Sequence, residues 1–222
     1  MKKQVTFYYV RHGQTLFNQL GRMQGWCDSP LTEKGREDAR KAKEKLSGVD
    51  LKHAYASVSG RCRETCEILL EGREIPVSYR KELREYNFGT WEGTRINNHV
   101  KEIDAIRFHT FDWTEYGGEN YEMVLQRVKK AWDEIYEEAE DGDHVLIVSH
   151  GAVFLHMIDG LFHLDKEKYI EVAVNENGVR MPVPNGYVGY FTCTDGEYEL
   201  QYLEGRPKGF LEEVRRLSGI PK

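Results

Sequence analysis

Two short strings carry the residue types that could do chemistry. Arg11-His12-Gly13 follows the β-type run Val5 to Val10, and Ser149-His150-Gly151 follows the apolar run Val145 to Val148. A third, Ser57-x-Ser59-Gly60-Arg61-x-Arg63, follows the run 51 to 58. In open α/β sheets, ligands bind beyond the carboxyl ends of the strands, where glycines and helix N-termini present backbone amides to anions. If these strands are neighbours, two histidines and two or three arginines meet at one sheet edge. Guanidinium groups match phosphate oxygens bidentately, so the economical ligand is a phosphoryl group. A neutral imidazole can attack phosphorus directly and divide one displacement into two through a phosphohistidine. Arginines would offset the transition-state charge, and a carboxylic acid would protonate the departing oxygen, a route that requires no metal. Glu85 suits the acid role by chain order and loop context, although Glu82 and Glu92 lie close.

The elements that would position these groups alternate along the chain. Val5 to Val10 is apolar on both faces, as in a strand buried within a parallel sheet. Residues 31 to 46 read as an amphipathic helix N-capped by Thr32. Residues 51 to 58 read as a strand, 61 to 72 as a helix closed by Gly72, and 75 to 79 as a third strand. Residues 95 to 139 hold two helical segments, the second, from about Glu119 to Ala139, with Val124, Val128, Trp132 and Ile135 on one stripe. A short apolar run, then Ser149-His150-Gly151 and an apolar helix, repeat the opening pattern. Residues 186 to 203 form two alternating runs around Asp195-Gly196, a hairpin signal. The pattern predicts a single α/β domain over 1–222, with a doubly wound, mostly parallel sheet, an antiparallel edge and helices on both faces. Residues 86–118, aromatic and irregular, are expected to form a small inserted lid. Trp91, Phe108, Phe111, Trp113 and Tyr116 would be its core or line a leaving-group pocket.

Composition excludes several classes. With 222 residues and a net charge of −6, the chain has no basic face for general binding to nucleic acid or anionic membrane. No apolar run is long enough to span a bilayer. The four cysteines (Cys27, Cys62, Cys66 and Cys193) form no C-x-x-C pair or disulfide framework, which suits a reducing compartment. The expectation is a soluble cytoplasmic protein, with the hairpin edge and polar C-terminal helix available to a homodimer. No P-loop or Cys-x5-Arg phosphatase motif occurs. Cys62 and Cys66, one helical turn apart, read as buried thiols, and His53, His99, His109, His156 and His163 fit no signature.

These strings also carry a resemblance. "RHGQTLFN", "QGWCDSPLTEKG", "LREYNFGTWEG", "GGEN" and "VSHGAV" are similar, in order and over most of the chain, to the blocks of the histidine phosphatase superfamily, phosphoglycerate mutase-like branch. The resemblance implies that fold, with His12 as the phosphorylated nucleophile and Glu85 as proton donor. Arg11, Asn18, Arg61 and His150 would hold the phosphate, with Gln24 and the Gly151 backbone contributing. It implies no cofactor and no resident metal. The sequence departs from the family pattern where Cys62 and Cys66 replace usual alanines. Family mutases usually carry "LNERHYG" and a longer insertion, so this chain looks like the phosphatases. It would hydrolyse a small phosphorylated metabolite, most readily at mildly acidic pH. Phosphoglycerate mutase activity and non-catalytic binding of a phosphorylated ligand are the alternatives.

Overall fold

The computed structural model describes residues 2–106, 110–173 and 183–220. Phe108 and His109, both named from the sequence, lie outside the described residues, as does most of the segment around 175–185, where leaving-group recognition would be expected from the sequence together with 86–118. Six strands form one sheet: β1 (Gln4–Arg11), β2 (Leu51–Ser57), β3 (Val77–Arg80), β4 (His144–Ser149), β5 (Val188–Thr194) and β6 (Glu197–Leu203). Their order is β3-β2-β4-β1-β5-β6. The pairs β3–β2, β2–β4 and β4–β1 are parallel, whereas β5 runs antiparallel to β1 and β6 antiparallel to β5. The expected α/β sheet with an antiparallel edge is therefore present. Asp195 and Gly196, at φ 52° and 86°, make the tight turn of that edge hairpin.

Eight helices are described: α1 (Leu16–Gln19), α2 (Glu33–Lys45), α3 (Gly60–Leu70), α4 (Val100–Ala105), α5 (Tyr121–Glu138), α6 (Gly151–Gly160), α7 (Lys166–Val172) and α8 (Phe210–Leu217). Thr32 caps α2 by accepting from the Gly35 amide, as its sequence position suggests. Sequence reading omits α1 and α7, which at four and seven residues are too short for periodicity to declare them.

Alternation along the strands divides the core between the two faces. Val145 and Ile147 join Phe7 and Tyr9 on one face, beneath Val128, Trp132 and Ile135 of α5 and Phe154 and Met157 of α6. Leu146 and Val148 join Val10, Ala54 and Ala56 on the other, beneath Ala42 of α2 and Cys62, Cys66 and Leu69 of α3. In the 86–118 segment, Phe111 and Trp113 are buried in the first of these cores. Trp91 and Phe88 pack edge-on to Trp113, with ring centroids 6.4 and 5.1 Å away.

Trp132 ties α5 to the antiparallel edge by stacking on Phe191 at 4.4 Å, and Phe191 stacks in turn on Phe7 at 4.9 Å. Trp132→Ala should cost about 3–5 kcal/mol, because the cavity lies between a rigid helix and a rigid sheet. Denaturant unfolding, read as a lower midpoint at unchanged slope, measures this loss.

Candidate active site

Strand register places the two histidines together. In the parallel β1–β4 pair, Arg11 is opposite Ser149, so the residues that follow, His12 and His150, leave the sheet side by side. Their rings lie edge to face with centroids 5.3 Å apart. Tyr9, one turn of pleat earlier, fixes the His150 backbone by donating to its carbonyl at 2.7 Å and accepting from its amide at 3.1 Å. The neighbouring strand β2 ends in Ser57, whose hydroxyl is 2.9 Å from His150 Nε2.

The His12 ring is held by its own backbone neighbour. Nδ1 is 2.8 Å from the Gly13 carbonyl, and because a carbonyl only accepts, Nδ1 carries the proton and Nε2 presents a lone pair. Burial, followed by the charges of Arg61 and Arg11, pushes His12 well below the usual imidazole range. Gly13 itself permits a close backbone approach: a Cβ there would meet the Gly35 carbonyl at 2.1 Å. The Gly13 amide donates to Thr65 Oγ1 of α3, so the turn after β1 is fastened on both sides.

Arg61, only 1% exposed, lies at the centre. Nη1 donates to the Cys27 carbonyl at 3.0 Å and to Asp28 Oδ1 at 2.9 Å; Nη2 donates to the Gly25 carbonyl at 2.8 Å and to His150 Nδ1 at 3.1 Å. His150 therefore accepts at Nδ1 and donates from Nε2 to Ser57. Its proton affinity is pushed well down, first by burial and then by Arg61. Arg61 Nε has no hydrogen-bond partner. Arg11 donates from Nη1 to the Val183 carbonyl, and its guanidinium packs on Gly151, where a Cβ would come within 3.0 Å of Nε.

Geometry separates the three candidate acids. Glu92 accepts from the amides of Gly25, Trp26, Cys27 and Phe88, so it braces the loop that holds Arg61. Glu82 contributes its carbonyl to Arg127. Glu85 alone reaches the N-terminus of α6: Oε2 accepts from Ala152 at 3.0 Å, and Oε1 from Val153 at 3.0 Å and Tyr86 at 3.1 Å. That places the Glu85 carboxyl beside His150 and Gly151, with Oε2, bonded once, the oxygen having room for a proton.

The remaining expected residues line the turn after β1. Asn18 Oδ1 accepts from the Thr15 amide and from Asn185 Nδ2, each at 3.1 Å, leaving its own amide nitrogen as donor. Gln24 accepts from Thr15 at 2.5 Å and donates one of its two amide hydrogens to Ser29 at 3.1 Å, which fixes its orientation. Cys62 Sγ lies 3.6 Å from His150 Nε2, and burial pushes the Cys62 and Cys66 thiols up to about 12, where they are inert small apolar groups. Arg63 stacks on Tyr79 at 3.9 Å, away from the cluster.

Sequence reading misses Asp28, Thr65, Asn185 and the pair Glu119–Arg127. Asp28 stood within the quoted "QGWCDSP" string, but nothing in spacing pairs Asn185 with His12, whose carbonyl it reaches at 3.1 Å. No group of three or more His, Cys, Asp or Glu side chains among the described residues is arranged to hold a metal ion. No described helix is long and apolar enough to cross a membrane.

The chain matches the description of the histidine phosphatase superfamily, branch 1, over residues 7–185. It belongs to that superfamily. A relative from Erwinia tasmaniensis named probable phosphoglycerate mutase GpmB is 36% identical over 148 residues, covering 65% of this chain and 68% of the relative. Among solved structures, YhfR of Bacillus stearothermophilus aligns with a TM-score of 0.76 at 33% identity, covering 93% of this chain and 99% of that one. The alpha-ribazole phosphatase of Shigella flexneri aligns with a TM-score of 0.71 at 25% identity, covering 89% of this chain and 95% of that one. The chain is thus similar to proteins named for mutase and for phosphatase activity, and it shares the histidine phosphatase fold with them.

A pH dependence of stability follows from the buried rings. His156, in α6, is also buried and held down to about 2 by burial and then Lys166, its Nδ1 paired with the Tyr86 hydroxyl. Unfolded imidazoles titrate near 6.5 whereas His12, His150 and His156 in the fold bind protons only at lower pH. Between those values the unfolded chain holds more protons, so stability is full above about pH 6.5 and falls as the pH drops toward the folded values. Each histidine adds at most about 1.4 kcal/mol per pH unit to the slope. Melting temperatures from pH 7.5 to 5 should therefore decline, and His156→Phe should flatten the decline.

Proposed function

We propose that the protein is a metal-independent phosphomonoester hydrolase acting on a small phosphorylated metabolite through a phosphohistidine. The observation that carries this reading is the His12 ring: Nδ1 is tied to the Gly13 carbonyl, leaving Nε2 as an unprotonated nucleophile in the field of the buried Arg61 and the half-buried Arg11. Arg11, the unpartnered Nε of Arg61, the Asn18 amide and His150, which exchanges its hydrogen bond to Ser57 for one to substrate, grip the phosphoryl oxygens, and the guanidinium charge offsets that of the transferring group. Nε2 attacks phosphorus as the bond to the leaving oxygen breaks, and Glu85 passes its proton to that oxygen. Water then attacks the phosphorus–nitrogen bond while Glu85 takes back a proton. Inorganic phosphate leaves and His12 returns to its neutral form. Burial of His12, Arg61, His150 and Glu85, none more than 7% exposed, favours a substrate that offers a terminal phosphoryl group rather than an internal diester.

A second reading, phosphoryl transfer between positions of a phosphoglycerate, is favoured by the name of the Erwinia relative. The first half-reaction is the same, and only the acceptor differs. Net release of phosphate from a range of monoesters, undiminished by chelator and unstimulated by a bisphosphate primer, is the expected result. Primer-dependent isomerisation with little free phosphate would favour the mutase instead. Labelled substrate quenched in base should leave phosphate on His12, and His12→Ala should abolish the label and lower kcat by about a thousandfold or more. Because His12 stays neutral well below the usual imidazole range, kcat/KM should persist into mildly acidic pH, read from a pH profile on one ester.

A further inference from the structure

Glu85 can serve as an acid only if its loop is held still, and the loop has no regular secondary structure of its own beyond the single turns Lys81–Leu83 and Gly89–Trp91 that flank it. Arg127, on α5, reaches across to it. Its Nη1 donates to the carbonyls of Glu82 and Arg84, each at 2.7 Å, and its Nη2 to the Glu85 carbonyl at 3.0 Å. The remaining donors meet Glu119 in a fork, Nε to Oε1 at 2.8 Å and Nη2 to Oε2 at 2.9 Å. Every N–H of the guanidinium thus has an acceptor. Glu119, only 6% exposed, continues the clamp: Oε2 accepts from the Asn87 amide at 2.9 Å, and its own amide donates to the Asn87 carbonyl at 2.9 Å. Two residues from outside the loop therefore hold the carbonyls of 82, 84, 85 and 87 and the amide of 87. With the backbone fixed, the Glu85 side chain is aimed at the α6 amides.

We infer that Arg127 and Glu119 are positioning residues that set the Glu85 carboxyl against the leaving-group oxygen. The inference rests on the reading of Glu85 as proton donor. Arg127 has no donor left for substrate, so its hydrogen bonds act through the Glu85 loop, and Arg127→Lys keeps the charge that His150 also feels. Lysine cannot replace it, because one ammonium on a flexible stem cannot span three carbonyls and a carboxylate with planar geometry.

The test uses leaving groups that differ in their need for a proton. Glycerol 2-phosphate departs as a strongly basic alkoxide, whereas 2,4-dinitrophenyl phosphate departs as a stable phenolate without help from an acid. Arg127→Lys should lower kcat/KM, which reports only the steps through leaving-group departure, on the alkyl ester by about a hundredfold, within the usual range for losing a general acid, and on the dinitrophenyl ester by less than about fivefold. Glu85→Gln should give the same split, and Glu119→Gln a smaller split in the same direction. Glu119→Gln carries the test if Arg127→Lys fails to fold. Equal losses on both esters, or no loss, in a clamp variant whose Glu85→Gln counterpart shows the split would overturn the inference and leave the acid assignment standing. Absence of the split in Glu85→Gln itself would overturn the acid assignment and the clamp with it.

Discussion

A guanidinium cannot discard its charge, and Arg61 carries one at 1% exposure. Removing such a group from water costs several kcal/mol unless partners replace the lost hydration. The chain supplies them from two directions: Asp28 and the carbonyls of Gly25 and Cys27 from one loop, and His150 from the end of β4. Loop 25–28 therefore has to close over α3, and Glu92 accepts from the amides of Gly25, Trp26 and Cys27 to keep those carbonyls turned inward. Histidine 150 has to stay neutral to accept from Arg61, and burial, followed by the field of Arg61, keeps it so. Charge, loop closure and ring protonation form one mutually dependent arrangement.

The same dependence links stability to chemistry. Imidazoles held neutral by burial are suited to nucleophilic attack, yet each stores an acid sensitivity that the unfolded chain does not share. Glycine at position 13 lets the carbonyl that orients His12 approach α2 backbone to backbone, with no side chain between.

Much of this was legible in the residues. β1 and β4 announce themselves as apolar runs ending in Arg-His-Gly and Ser-His-Gly, and α2 and α5 through their periodicity, because burial of one helix face or both strand faces leaves a local imprint. Chain order and the resemblance single out Glu85 as the candidate acid, while spacing alone leaves Glu82 and Glu92 beside it, since the three differ in where the folded loop aims them. Gln24, expected to contribute to the phosphate site, is oriented by hydrogen bonds to Thr15 and Ser29 that its sequence position does not announce. Arg127 read as one polar residue on an amphipathic helix; its acceptors are more than 40 residues away in sequence at the loop, as the separations of 42 to 45 make plain. Sequence period reports which face is buried, not which distant carbonyl a buried donor finds.

The antiparallel return of β5 has a consequence for the order in which the protein comes to life on the ribosome. Chains emerge from the N-terminus, and domains assemble as their segments appear. His12 is among the earliest residues made, yet its carbonyl is bonded by Asn185 and Gly186, and the Arg11 amide by the Tyr187 carbonyl. The contacts of Arg11 and His12 stay incomplete until the segment leading into β5 has been synthesised and has run back alongside β1. A nascent chain stalled before that point would carry the signature residues without a working site.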